Sequence, residues 1–256
     1  MKYVISDIHG CFDTFMSLLK KAKFDENKDT LYILGDIVDR GPKIWETYEW
    51  VRERFGKSVY MICGNHENEL MMQLFALKGR QRKEAPQEET NIVIKSFLEK
   101  MSGFGDYDIF EQMRKMAIFD QYGTIRSLMA KHSLDDLTEM AIFFFTLPSY
   151  TEVDGFTLVH ANCMKEIKDT PEEYFYWDRS LALSDSFVEG KKVIYGHTPT
   201  TYYTKAAKAD DKTREDGSRK INIDCGCAYG GRLCLFRIDD EKYFYQTNIE
   251  ITRSDD

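Results

Sequence analysis

The chain of 256 residues contains no apolar run long enough to cross a bilayer or to form the core of a signal peptide, which argues against a membrane or secreted protein. Met1 to Ser6 runs straight into a strand-like segment, and a cytoplasmic location is the expectation. Positive charge is in deficit, with 35 Lys and Arg against 43 Asp and Glu and a net charge of −8. That balance argues against a broad nucleic-acid-binding face, so an anionic ligand would have to be met by locally concentrated charge, from metal ions and a few arginines. Cysteine is sparse: of six, only Cys225 and Cys227 are close in sequence, and Cys-x-Cys lacks the spacer and the second ligand pair of a structural zinc site. Reduced thiols buried beside strands are expected instead of disulfides. Neither a P-loop nor a dinucleotide fingerprint occurs, which disfavours nucleotide-dependent kinases and Rossmann oxidoreductases. No repeat, low-complexity tract or linker divides the chain, and one domain over residues 1–256 is expected.

What is present is the composition of a packed soluble protein, 43% hydrophobic and 30% charged. Apolar runs at Tyr3 to Ile5, Leu31 to Leu34 and Val59 to Ile62 each lead into a loop rich in Gly, Asp, His or Asn. Helical patterns follow at Phe15 to Ala22 and Ile44 to Phe55, so the class is α/β with parallel early strands. Loops at the carboxyl ends of such strands are where these folds place their sites. From about residue 69 to 148 the pattern becomes helical, with Ile92, Phe97, Met113, Met116, Leu137, Ala141 and Phe144 at helical spacing as packing residues. This stretch reads as a helical insertion whose middle, Lys78 to Thr90, is an exposed or mobile connection. His132 is a surface histidine in one of its helices. Strands resume with a hairpin over Tyr150 to Val159 turning at Asp154-Gly155, then Lys192 to Tyr195, Lys220 to Ile223, Leu233 to Ile238 and Tyr243 to Thr247. Lys205 to Arg219 reads as a charged loop.

Four of the five histidines (His9, His66, His160, His197) lie at or near strand ends. Asp7 and His9 of Ser6-Asp7-Ile8-His9-Gly10 alternate, leave an extended segment on one side and can share an ion. In Gly35-Asp36-Ile37-Val38-Asp39-Arg40-Gly41-Pro42, Asp36 can bridge two cations through its two oxygens, while Arg40 offers a fork of donors for phosphate. In Gly64-Asn65-His66-Glu67, Asn65 supplies an amide oxygen ligand and His66, outside the metal shell, can donate a proton. Together these place Asp7, His9 and Asp36 on one ion and Asp36, Asn65, His160 and His197 on another. Mixed oxygen and nitrogen donors suit manganese, iron or zinc. Two such ions roughly 3.5–4 Å apart generate a hydroxide and stabilise both the attacking and the leaving oxygen of a phosphoryl displacement.

The ordered set Asp7-x-His9-Gly10, Gly35-Asp36-x-Val38-Asp39-Arg40-Gly41, Gly64-Asn65-His66-Glu67, His160 and Gly196-His197 resembles the phosphoprotein phosphatase branch of the calcineurin-like metallophosphoesterases. It is most similar to small bacterial and phage members, the lambda-type phosphatases and the relatives of bacterial diadenosine tetraphosphatases. The resemblance implies a four-layer α/β/β/α sandwich with a dinuclear site, usually loaded with manganese in bacterial members. It further implies that a bridging hydroxide attacks phosphorus, that His66, oriented by Asp39, protonates the leaving oxygen, and that Arg40 binds the phosphate. Arg179 in Tyr176-Trp177-Asp178-Arg179 matches a second family arginine. The segment Ile223 to Gly231 resembles a late family loop near the metals. On this basis Tyr229 joins Arg40, Arg179 and Asn65 as a substrate contact.

Two departures stand out. Cys63 replaces an arginine that many relatives carry before Gly-Asn-His, and His160 is followed by Ala161-Asn162 where eukaryotic enzymes have a glycine pair. Several relatives that cleave dinucleoside tetraphosphates vary at the positions of Asp39 and Glu67. The presence of both residues here favours phosphoserine or phosphothreonine as substrate, with diadenosine tetraphosphate or a similar nucleotide as the alternative. A catalytically silent binding protein, the metal site serving only as a scaffold, is a third reading, set against the presence of every residue with a catalytic role.

Overall fold

A computed structural model describes residues 1–84 and 120–250. The chain divides into two compact units, Met1–His66 with Leu147–Asp256, and Glu67–Thr146.

The first unit holds two five-stranded sheets. In one, β1 (Lys2–Ile5), β2 (Thr30–Ile33) and β3 (Val59–Met61) run parallel, with helix α2 (Ile44–Arg54) between β2 and β3 in the chain, and β9 (Arg232–Arg237) and β10 (Lys242–Thr247) extend the β1 side antiparallel, in the order β10-β9-β1-β2-β3. In the other, β5 (Phe156–Val159), β6 (Lys192–Tyr195) and β8 (Arg219–Asn222) run parallel between two antiparallel edges, β4 (Tyr150–Val153) and β7 (Asp210–Thr213). Successive strand residues face opposite sides, and that alternation builds the layers. Val4, Cys234 and Phe236 of the first sheet share one core with Leu158, Ile194 and Ile221 of the second. Phe156 and Phe236 meet edge to face there, with ring centroids 6.1 Å apart. On the outer side of the first sheet, helix α1 (Phe12–Ala22) covers β9 and β10, and the Tyr3 ring turns outward to meet Phe24. On the outer side of the second, Tyr195 and the buried Lys220 both donate to the Leu181 carbonyl, in the short helix Ser180–Leu183. The result is the expected α/β/β/α sandwich.

In the second unit, α3 (Asn65–Glu84) continues from its first turn, followed by helices Thr124–Met129 and Leu134–Phe145. The last of these opens with a capping box between Ser133 and Asp136 and buries Leu137, Met140, Ala141 and Phe144 along one stripe. Lys78 is buried, and its Nζ lies 2.7 Å from Asp135 Oδ1.

Three details depart from the sequence reading. The segment from Lys78 reads as a connection because it is charged, yet α3 runs through it to Glu84; lysine, arginine, glutamine and glutamate are good helix formers. His132 sits in the turn between the two later helices, not inside one. The charged run Lys205 to Arg219 contains β7, an edge strand whose charges face water, a composition that protects sheet edges from further pairing. Residues 85–90 of the expected connection, and the packing residues Ile92, Phe97, Met113 and Met116, lie outside the described residues. The hairpin turns at Asp154-Gly155 as expected, with both residues at positive φ.

Candidate active site

Five loops at strand ends converge in the first unit. The loops after β1 and β2 are zipped together: His9 N donates to Asp36 O at 2.8 Å, Gly10 N to Ile37 O at 2.8 Å and Gly41 N to His9 O at 2.9 Å. In the second sheet, Gly196 N donates to His160 O at 2.8 Å, joining the loops after β5 and β6. The two sheets are tied across the site by His197 N, which donates to Asp7 Oδ2 at 3.1 Å. Close approach here depends on Gly196, because a Cβ at that position would collide with Ser6 Oγ and Asp7 Oδ2. The backbone amide of His66, in the first turn of α3, donates to Asp36 Oδ1 at 3.1 Å, so a helix N-terminus supports this carboxylate.

Backbone strain concentrates in the same place. Six of the eleven non-glycine residues with positive φ among the described residues are Asp7, His9, Asp36, Asp39, Arg40 and His197. Each such conformation costs on the order of 1–3 kcal/mol and persists only where the surroundings enforce it, as at functional sites.

The donor atoms then fall into place. His9 Nδ1 lies 2.7 Å from Val38 O and His160 Nδ1 lies 2.7 Å from Leu34 O, so each neutral ring places its proton on Nδ1 and leaves a bare Nε2. Those Nε2 atoms lie 3.6 Å and 3.5 Å from Asp36 Oδ2. His160 Nε2, His197 Nδ1 and Asn65 Oδ1 sit within 3.2 Å of one another. Convergence of lone pairs on one point is repulsive unless a cation or a proton lies between them, which is the signature of a metal site. His9, Asp36 and His66 form one cluster with metal-ligand spacing, and Asp36, His160 and His197 form another that shares the Asp36 carboxylate. Among the described residues His197 Nε2 is buried without a hydrogen bond of standard geometry, and the Trp177 backbone is the group that bears on the ring.

Burial sets the protonation states. It lowers the pKa of His9 well below the usual imidazole range, with the His66 and Arg40 charges adding to the shift, and it lowers that of His160. His197 is pushed down to about 2 by burial and by His160. All three are therefore neutral at pH 7, the form that ligates metal.

His66, expected outside the metal shell, belongs to the first cluster by spacing in place of Asp7, but its ring has other partners: Nδ1 lies 2.5 Å from Asp39 Oδ2, and Arg40 Nη2 lies 3.2 Å from Nε2. The Arg40 guanidinium also lies over the Tyr229 ring, 4.8 Å from its centroid. Arg179 Nη1 donates to Thr198 Oγ1 at 3.1 Å and to His197 O at 3.3 Å. Asp7, His9, Asp36, Arg40, Asn65, His66, Arg179, His197 and Tyr229 all border one open cavity of about 480 Å³. His160 is fully buried behind it. Cys63 is buried, its backbone N donating to Pro148 O at 2.9 Å, and all six cysteines are free thiols.

One carboxylate escaped the sequence reading of roles. Asp224 borders the cavity, accepts from Gly226 N at 2.9 Å, and is held well above the usual carboxylate range by burial and by the charge of Asp7. It follows the carboxyl end of β8 just as Asp36 follows β2, and that position at a strand end was the signal to find it. Leu183, Thr201 and Tyr202 also line the cavity, and nothing in their local sequence marks them.

The calcineurin-like phosphoesterase family model matches residues 3–229. Among curated proteins, the chain is 26% identical to the symmetrical bis(5'-nucleosyl)-tetraphosphatase of Buchnera aphidicola subsp. Baizongia pistaciae, over 95% of this chain and 97% of that one. It is 25% identical to the enzyme of the same name from Aliivibrio fischeri (strain ATCC 700601 / ES114), over 97% and 98%. Of solved structures, one assigned as a diadenosine tetraphosphatase superposes with a TM-score of 0.61 at 15% identity, covering 96% of this chain and 93% of that one. A serine/threonine phosphatase from Saccharomyces cerevisiae superposes with a TM-score of 0.53 at 14% identity, covering 99% and 81%. Fold, converging donor atoms and the match over residues 3–229 agree: the chain belongs to the calcineurin-like phosphoesterase family and is a metallophosphoesterase.

Proposed function

We propose that this protein hydrolyses dinucleoside tetraphosphates at the central anhydride, releasing two nucleoside diphosphates. The observation that carries this reading is the near end-to-end correspondence with proteins named as symmetrical bis(5'-nucleosyl)-tetraphosphatases. The cavity of about 480 Å³ supports it, having room for a nucleotide beside the phosphate pocket. The phosphoserine and phosphothreonine reading rested on the presence of Asp39 and Glu67 alone, and the relatives' names weigh on the other side.

In this reading Asp7, His9, Asp36, Asn65, His160 and His197 would hold two divalent ions; the mixed donor set suits manganese, iron or zinc, and the resemblance to bacterial members implies manganese. Ions bound there would supply a nucleophilic hydroxide at neutral pH and would offset the charge that builds on the phosphoryl oxygens. Asp36 stands between the two sites, its carboxylate positioned by the His66 amide. Arg40 and Arg179 reach the cavity from opposite loops and orient the phosphate. Asp39 accepts the Nδ1 proton of His66 and fixes the ring, and when Nε2 is protonated as well, the imidazolium gives that Nε2 proton to the leaving oxygen and returns to the neutral ring. Tyr229, stacked on Arg40, borders the bound substrate.

The test is product analysis on manganese-loaded protein given diadenosine tetraphosphate, with a phosphoserine peptide in parallel. ADP as the sole nucleotide product, with a higher kcat/KM than for the peptide, is the expected result. AMP with ATP as products, or a clear preference for the peptide, would overturn the reading.

A further inference from the structure

Several groups around the cavity have uses in the mechanism above, but Tyr202 has none. It lies in the short helix Thr200–Tyr203, borders the cavity and is 68% exposed. Its neighbours anchor the helix: Thr200 N donates to Asp224 O at 2.8 Å, and the Tyr203 hydroxyl lies 3.1 Å from both Asp210 Oδ2 and Asn222 Nδ2. Tyr202 therefore projects from a fixed support. Among the described residues its ring has neither a stacking neighbour nor a cation over it, whereas Tyr229 is already engaged by Arg40. Pro199, whose carbonyl accepts from Tyr202 N at 2.9 Å, and Leu183, which is 47% exposed, border the same cavity and add apolar surface to its lining.

An exposed aromatic ring on a rigid support beside aliphatic side chains is poorly explained by phosphate binding, which needs charge and donors. It does match the flat, weakly polar face of a purine or pyrimidine, which stacks on tyrosine irrespective of base identity. We propose that Tyr202, with Leu183 and Pro199, forms a nucleobase-stacking subsite at the active-site cavity. The proposal deepens the nucleotide reading above and rests on it for its biological setting. Stacking reads the face of a base and not its edge, so the subsite selects nucleotides over simple phosphates while tolerating different bases.

The experiment compares binding of AMP and ribose 5-phosphate, identical except for the base, to manganese-loaded wild type, Tyr202→Ala and Tyr202→Phe by titration calorimetry. In wild type AMP should bind more tightly. Tyr202→Ala should weaken AMP by about fivefold or more, in line with the loss of one stacked base, and leave ribose 5-phosphate unchanged. Tyr202→Phe should keep the preference, because the ring and not the hydroxyl carries it. Equal affinities in wild type, or equal weakening of both ligands in Tyr202→Ala, would overturn the subsite. The same holds if Tyr202→Ala weakens a phosphoserine peptide as much as AMP, which would make Tyr202 part of a peptide groove. A base preference without turnover of dinucleoside tetraphosphate would sink the hydrolase reading alone, and turnover without a base preference would sink the subsite alone.

Discussion

His66 and Asp39 form a dyad, with ring Nδ1 2.5 Å from the carboxylate and the opposite nitrogen, Nε2, 3.2 Å from Arg40. Arg40 can only donate, so Nε2 accepts in this arrangement and must take up a proton before His66 can serve as the proposed acid, a role whose value depends on the leaving group. General acid assistance contributes typically about 10²- to 10⁴-fold when the leaving oxygen is basic. We expect His66→Asn to lower kcat on a phosphoserine peptide within that range, and to affect a nucleoside diphosphate leaving group or p-nitrophenol far less. Asp39→Asn should show the same ranking, more weakly. Steady-state rates across leaving groups of graded basicity check this; a uniform loss on every substrate would exclude the acid role.

Asp36 is the shared carboxylate of both donor clusters. Replacing it with Asn removes a charge from two cation sites at once while leaving the volume nearly unchanged. Metal content measured by mass spectrometry should fall below two manganese ions per chain, with activity down by about 100-fold or more, the upper range for loss of a single group supporting a metal. Full metal content with full activity in Asp36→Asn would show that the bridge lies elsewhere.

The convergence of Asp7, His9, Asp36, Asn65, His160 and His197 is legible because each sits at a strand end, where an α/β sheet gathers its loops whatever the intervening sequence. Arg179 was visible only through family likeness, since its partners Thr198 and His197 lie nearly twenty residues away and on a different loop. Asp224 and Tyr202 were missed for a related reason, their roles being set by neighbours that the two sheets bring together and not by adjacent residues. The edge strand Asp210–Thr213 was hidden by the charge that makes it a safe edge. The reach of α3 to Glu84 was hidden by a polar sequence whose helix propensity is high.

The buried histidines make a prediction about acid. His9, His160 and His197 titrate below their ordinary value in the folded chain, because burial opposes their charge. Above pH 6.5 neither folded nor unfolded chain protonates them, so stability is unaffected. Below it the unfolded chain takes up protons that the folded one refuses, and stability falls as pH drops, with a limiting slope of about 1.4 kcal/mol per pH unit for a histidine that stays neutral in the folded chain. Asp224 works in the opposite sense, since its raised pKa lets the folded chain bind a proton first. With three groups against one, chelator-treated protein should lose stability between pH 6.5 and pH 5. Urea midpoints across that range measure it, and His197→Gln should flatten the slope. An unchanged midpoint would mean that the imidazoles are not held neutral by burial.

Gly35 provides a test of how closely the loops must approach. It has φ +87°, and a Cβ on it would lie 2.5 Å from both Cα and N of Gly64, so the loops bearing Asp36 and Asn65 touch through hydrogen alone. Gly217 has nearly the same φ, +83°, but open space around its Cβ position. Alanine at Gly217 should cost only the backbone penalty, of about 1 kcal/mol, with metal content intact. Alanine at Gly35 carries that penalty and also pushes two ligand-bearing loops apart, so thermal stability and manganese occupancy should fall together. Thermal unfolding with and without manganese separates the two effects. If Gly35→Ala bound two manganese ions with wild-type affinity, the contact between these loops would not be what sets the spacing of the site.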